Sequence, residues 1–416
     1  MGHIQCLIYT TIRFVPVVLV LTACKSEMNT LSFTHFTIDS PLPGEGYGTG
    51  GFTLADFDGD GDLDMSIQRR SDITLYWYAY ENDSTWIRHV AAKHGGGQLG
   101  AASLDVNRDG HPDIVMGRAW IENPGNLAEK PDASWTVHLY AGGMEGENHD
   151  IVAADIDQDG TIDLVSYAQN QGILRWYQLN DPDQWSYVNI AENVNDIHIH
   201  AGFAPGGVGD FNGDGYPDVL MPFYWYENPG RSKRSNWEKH PWPYLEIPKT
   251  PYGRSFRSWI ADLDGDGDND FVYADCDVTM SKAYWCENEG NAGDFIRHQL
   301  PTPDDLSGSY HSLGVYDLDL DEDLDIFIGE QEDANQQPEP GMKPAGLEER
   351  GMILLNTGTP QQPAFELMII HIGNPGWHDT LVGDVDGDGD LDLVTKIWNA
   401  DEGRVWHADY WRNEVR

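Results

Sequence analysis

Positive charge is scarce in this chain. Its 416 residues hold 25 Lys and Arg against 69 Asp and Glu, a net charge of −44 at pH 7. That balance excludes nucleic acid as a partner, because gripping phosphates takes clustered Lys and Arg. Cysteine is scarce too, at four residues. No serine-nucleophile motif, phosphate-binding loop or dinucleotide fingerprint appears, which removes the common hydrolase, nucleotide and hydride-transfer chemistries. The one marked apolar run, "FVPVVLVLTAC" from Phe14, is too short to span a bilayer as a stable anchor.

Aromatic material is plentiful: Trp 15, Tyr 19 and Phe 13. A chain this rich in aromatics builds a core, so its acidity does not signal disorder. Nor is the negative charge a tail. It comes in spaced clusters, the pattern of cation binding rather than of solvation.

The N-terminus reads as an export signal over residues 1–23, with Arg13 ahead of the apolar run and Leu21-Thr22-Ala23-Cys24 at its end. Small residues before a cysteine resemble the lipobox of bacterial lipoproteins. The resemblance implies cleavage, lipidation of Cys24 and a short tether over residues 24–30; Lys25, which is not the retaining aspartate, points to the outer membrane. An ordinary signal peptide with a chance cysteine is the alternative. Cys276 and Cys286 then remain, either bonded across a hairpin or as two buried thiols.

An aspartate-rich string recurs seven times, beginning at Asp56, Asp105, Asp155, Asp210, Asp262, Asp317 and Asp384. Each copy reads D-x-[DN]-x-D-G-x-x-D, preceded by an alternating or apolar stretch and followed by an apolar run: strand, loop, strand. A second signature follows: "YWYAYEN", "WIENPG", "WYQLND", "WYENPG", "WCENEG". Then come an aromatic and a histidine, at Trp86/His89, Trp135/His138, Trp237/His240 and Phe295/His298. Four strands per unit and seven units predict an all-β, seven-bladed β-propeller over residues 31–416. The seventh unit lacks its aromatic–His strand, while a spare "SFTHFTI" from Ser32 precedes the first. That spare segment is expected to close the ring. These repeats resemble the FG-GAP/VCBS family of propellers. The longest interval holds a Pro/Gly-rich insertion from Glu330, either a lid over one face or a tolerated surface loop.

Calcium takes six to eight oxygens, often from a short acidic loop turned by a glycine. The expected ligands are Asp56, Asp58, Asp60 and Asp64; Asp105, Asn107, Asp109 and Asp113; Asp155, Asp157, Asp159 and Asp163; Asp210, Asn212, Asp214 and Asp218; Asp262, Asp264, Asp266 and Asp270; Asp317, Asp319, Asp321 and Asp325; and Asp384, Asp386, Asp388 and Asp392. Up to seven structural Ca²⁺ follow. In the sixth loop Glu322 replaces the glycine, so that site is expected to be the weakest.

The residue six places before each first loop aspartate is Gly50, Leu99, His149, Ala204, Phe256, His311 or His378. Strand alternation points this register into the central channel, at the end opposite the calcium loops. The same parity adds Glu147, Arg254, His200 and Tyr252. Asp150, Arg257 and Asp379 have the opposite parity and are expected behind the wall, orienting the neighbouring histidines. Tyr310 and Trp377 are expected at the rim, and the histidines also suit a further divalent metal.

His, Tyr and Arg together suit proton abstraction beside a carboxylate. His149 is the expected base, with His311 and His378 binding a metal or polarising the substrate. Arg254 pairs with the carboxylate, Tyr252 (or Tyr310) serves as acid, and His200, Arg257, Tyr310 and Trp377 contact substrate. The chain resembles propeller polysaccharide lyases that cut ulvan or rhamnose–glucuronate chains, and the propeller of aldos-2-ulose dehydratases. That resemblance implies a carbohydrate-active lyase or dehydratase on an acidic polysaccharide. A non-catalytic surface module binding glycans or protein is the rival reading.

Overall fold

The computed structural model describes residues 31–94, 99–140, 142–144, 148–194, 199–231, 235–241, 253–290, 292–332, 343–359, 361–373, 376–400 and 405–415. They form seven sheets, antiparallel except where the short strands Ile199–Ala201 and Pro205–Gly206 pair parallel with Arg254–Ala261. The innermost strands are Thr49–Ala55, Ala101–Leu104, Asn148–Ala154, Val208–Gly209, Arg254–Ala261, Tyr310–Tyr316 and Asp379–Gly383, for blades 1 to 7. Inner strands of successive blades lie side by side around a ring, and that of blade 7 meets that of blade 1. This is a seven-bladed β-propeller.

The second strand of every blade, such as Asp163–Ala168 or Asp325–Glu330, is buried throughout. A strand covered on both faces must read as a continuous apolar run, which is why "LVSY" and "FVYA" do not alternate. The core accordingly sits between blades. Leu75 and Trp77 of blade 1 pack with Ile114 and Ile121 of blade 2, and Phe327 and Ile353 of blade 6 with Leu393 and Trp411 of blade 7.

The repeated signatures have separate jobs. In blades 2, 4 and 5 the signature tryptophan stacks on the outer-strand histidine: Trp120 on His138, Trp225 on His240 and Trp285 on His298, with ring centroids 4.2 to 4.5 Å apart. The signature Glu122, Glu227 and Glu287 bond those same histidines. The signature asparagine then reaches into the preceding blade. Asn123 Nδ2 donates to the Phe57 carbonyl, Asn228 to Ile156, Asn288 to Phe211 and Asn413 to Leu318, each time the second residue of that blade's acidic loop.

Blade 7 is completed by the strand Phe33–Asp39, which pairs antiparallel with Ala408–Asn413 from Phe33 opposite Asn413. His35 stacks on Trp411 at 4.3 Å and bonds Asp409 at 2.8 Å, so the early segment repeats the Trp–His–carboxylate trio of the other blades. Cys276 and Cys286 are both free and buried. Cys286 faces Phe271, five residues from Cys276 along the same strand, so the hairpin register keeps them apart. Residues 333–342 of the insertion lie outside the described residues, as do Glu147, Tyr252 and the whole of 1–30 with Cys24.

Candidate functional site

The seven acidic loops line one face of the ring. In loop 1 Asp56 accepts from the backbone N–H groups of Gly59, Asp60 and Gly61, and Gly61 takes a left-handed φ of +106°. The same hydrogen bond from the sixth residue recurs in loops 2 to 7. In loop 6 it comes from Glu322, at φ 75°, a conformation that strains any residue with a Cβ. The ninth-position aspartate is buried in each loop and takes backbone donors: Asp64 accepts from Phe57 and Tyr80, Asp218 from Phe211 and Asn228. Burial first, and neighbouring carboxylates after it, push Asp64 and Asp218 up to about 8 and Asp113, Asp163, Asp270, Asp325 and Asp392 up to about 7. One oxygen each of Asp262 and Asp384 is buried with no donor. Asp56, Asp58 and Asp64 converge, as do Asp155, Asp157 and Asp159, closely enough to hold one ion. An all-oxygen set with uncompensated buried oxygens fits a hard cation.

At the opposite end of the inner strands a cavity of about 640 Å³ opens in the channel. Of the register read from the sequence, Gly50, Leu99, His149, Ala204, His311 and His378 line it, and His200 joins them. The exception is Phe256, which packs into the core between blades 4 and 5. Two histidines owe their aim to irregular pairing. The ladder slips between Asn148 and Asp150 and again between Tyr310 and Ser312, leaving His149 and His311 as the unpaired residues of β-bulges.

His149 Nδ1 lies 2.8 Å from Asp150 Oδ1. The other oxygen of Asp150 accepts from the consecutive amides of Gly202 and Phe203 at 2.7 and 3.0 Å. Burial alone would raise this carboxyl. The hydrogen bond and charge of His149, with Arg257 beyond, instead hold it well below the usual range. Asp150 is thus a fixed anion behind the wall, as its parity implies, and it leaves Nε2 as the working nitrogen of His149.

His311 and His378 stack with ring centroids 3.6 Å apart, and His378 stacks in turn on Trp398 at 5.2 Å. His149 meets His200 edge-on at 4.5 Å. Burial lowers the pKa of His378 far below its ordinary value and that of His311 in the same direction, and brings His200 down to about 3. Burial thus favours the neutral form of all three rings. Asp379 accepts from Lys396 at 2.6 Å and bonds His378 at 3.0 Å. Arg257 Nε donates to the His311 carbonyl at 2.9 Å, and its Nη2 lies 3.3 Å from Asp379.

Five residues stand elsewhere than expected. Arg257 and Asp379 line the cavity rather than standing behind it. Tyr310 is fully buried in the apolar core between blades 5 and 6, and Trp377 in that between blades 6 and 7, stacked on Trp411 at 4.7 Å; neither reaches the rim. Arg254 stands over Phe223, outside the cavity lining. In blade 5 the inner strand Arg254–Ala261 pairs without the bulge found at His149 and His311, so its phase is offset by one residue and Arg257, not Phe256, faces the cavity.

Sequence reasoning also missed a second ring of residues. Arg70, Gln169, Gln331 and Trp398 line the cavity, and each stands six places after the ninth loop aspartate. In blade 5 that position is Cys276, with Asp277 next to it in the lining. The C-terminal end of the second strand lies beside the N-terminal end of the first, so a single count forward would have found them. In blades 2 and 4 the second strand stops short, at Met116 and Met221.

The chain matches the FG-GAP-like repeat family over residues 56–116 and 262–328. No curated protein matches it by sequence. Among solved structures, a fungal alcohol oxidase of the AA5 family in complex with copper superposes with a TM-score of 0.52 at 10% identity, over 92% of this chain and 76% of that one. BBS1N in complex with ARL6DN gives 0.50 at 11% identity, over 91% and 96%. A rhamnogalacturonan lyase from Bacillus licheniformis gives 0.46 at 13% identity, over 91% and 75%. At these identities the first two superpositions show a likeness of fold alone.

Proposed function

We propose that the activity of this seven-bladed propeller, two stretches of which match FG-GAP-like repeats, resides in the channel cavity, as a carbohydrate lyase or dehydratase working by β-elimination on a uronate-containing polysaccharide. The observation that carries this reading is the His149–Asp150 pair facing an open cavity that also holds cationic side chains and neutral histidines. Nε2 of His149 removes the proton alpha to the sugar carboxylate. The C–H electron pair becomes the new double bond, and the carbon–oxygen bond beta to the carboxylate breaks. Arg70, at the cavity wall, offsets the charge developing on the carboxylate, in the place the sequence assigned to Arg254. Tyr47, a phenol of the cavity lining, protonates the departing oxygen. Calcium in the seven loops, lipidation at Cys24 and display at the outer membrane belong to the same proposal. The test is incubation with a panel of uronate polymers, read as new ultraviolet absorbance from an unsaturated product. No product, with retention on immobilised glycan, would favour the binding module instead.

A further inference from the structure

We propose that Cys276, Asp277, His311 and His200 form a transition-metal site set into the wall of the channel, separate from the calcium loops. Cys276, Asp277 and His311 each bring a ligand atom within 4.8 Å of the other two. His200 Nε2 stands 3.8 Å from Asp277 Oδ2. Two ligands about 2.0–2.3 Å from a tetrahedral ion are themselves separated by roughly 3.3–3.8 Å, so these side chains stand near the required spacing before any ion draws them in.

The backbone is shaped to deliver them. The second strand of blade 5, Asp270–Cys276, runs into Asp277 at φ 60°, a left-handed conformation that a residue with a Cβ keeps only where its surroundings impose it. Ser309 Oγ accepts the Asp277 amide at 2.7 Å, and the Ser255 hydroxyl donates to its Oδ2. A carboxylate held in this way resembles a metal ligand oriented by its outer partners. His311 Nδ1 is 2.8 Å from the carbonyl of His378, which only accepts. In the tautomer that makes this bond Nε2 carries the lone pair; Arg257 Nη2, 3.3 Å from that nitrogen and 3.3 Å from Asp379, is released to Asp379 when an ion takes its place.

Charge and softness then select the ion. Asp150, Asp277 and Asp379 gather around Arg257 and Lys396, three negative groups against two positive. A thiolate at Cys276 and one divalent cation bring that sum to zero, so the ion offsets the cost of placing the thiolate's charge inside the wall. Thiolate with imidazole suits zinc, iron or copper and not calcium. Cys286, among Phe211, Phe271 and Tyr273, has no such company and serves as an internal control.

The experiment is a cobalt(II) titration of the full chain in excess calcium, with optical spectra. One equivalent should bind with a thiolate-to-cobalt charge-transfer band. Cys276→Ser should abolish the band and weaken binding at least tenfold, while Cys286→Ser leaves both unchanged. Asp277→Asn should weaken binding with the band retained, which covers the case in which the serine variant misfolds. Absence of the band in the unmodified protein, or a band that survives Cys276→Ser, overturns the proposal. The readout does not involve turnover, so its failure and the failure of the elimination reading are distinguishable.

Discussion

His149 and Asp150 are neighbours in sequence, yet their side chains meet, with Nδ1 and Oδ1 2.8 Å apart. On a regular strand consecutive residues point to opposite faces. The bulge at His149 lifts that rule for one residue, and the amides of Gly202 and Phe203 fix the carboxylate from the next blade.

Replacing His149 with alanine should lower turnover by about 10²–10⁴, the usual cost of losing a general base. The melting temperature should change little. Steady-state rates on an active uronate polymer, alongside thermal melts, check both. Unchanged turnover would remove His149 from the chemistry; a collapsed melt would make it a packing residue.

Chelation should destabilise the protein, and more at pH 8 than at pH 5. A site saturated a hundredfold above its dissociation constant contributes about 2.7 kcal/mol. Without ions, the buried ninth-position carboxylates, raised to about 7 or 8, bind more protons folded than unfolded. Stability from these groups is therefore present at low pH and lost as pH rises from about 4 to 8. Melts with and without chelator at the two pH values should show the gap widening upward.

Glu322→Gly should raise stability by about 1 kcal/mol, since glycine occupies the left-handed region without the Cβ clash. The corresponding residue is already glycine in the other six loops. A denaturant midpoint that does not rise would show that Glu322 is compensated locally.

Deleting residues 31–39 should expose the edge of Ala408–Asn413 and produce aggregation. Light scattering and melting of the truncated chain test this; a soluble variant of equal stability would mean the ring holds without its closing strand.

The fold was legible because its grammar is local: acidic loops mark the turn between first and second strands, and "EN" marks the third. The histidine register was legible because a count back from each fixed loop reaches the cavity in six blades; in blade 5 it reaches Phe256 in the core, one residue short of Arg257 in the lining. Tyr310 and Trp377 were misplaced because adjacency in sequence was taken for adjacency at the rim, where a bulge at His311 and a late strand start at Asp379 turn them into the core. Asp277 and Trp398 escaped because they belong to the far end of the second strand, which was never counted forward.

The closing strand also decides how the ring answers force. Phe33, at the start of the first strand, sits opposite Asn413, at the end of the last. A pull applied through the two ends of the chain therefore acts at one end of a single antiparallel ladder and opens it like a zipper, bond after bond from Phe33 toward Asp39, instead of loading all its hydrogen bonds at once in shear. The propeller is mechanically weakest at the seam that completes it. Under tension it should yield as an uncoiling ribbon of blades rather than by rupture through its core.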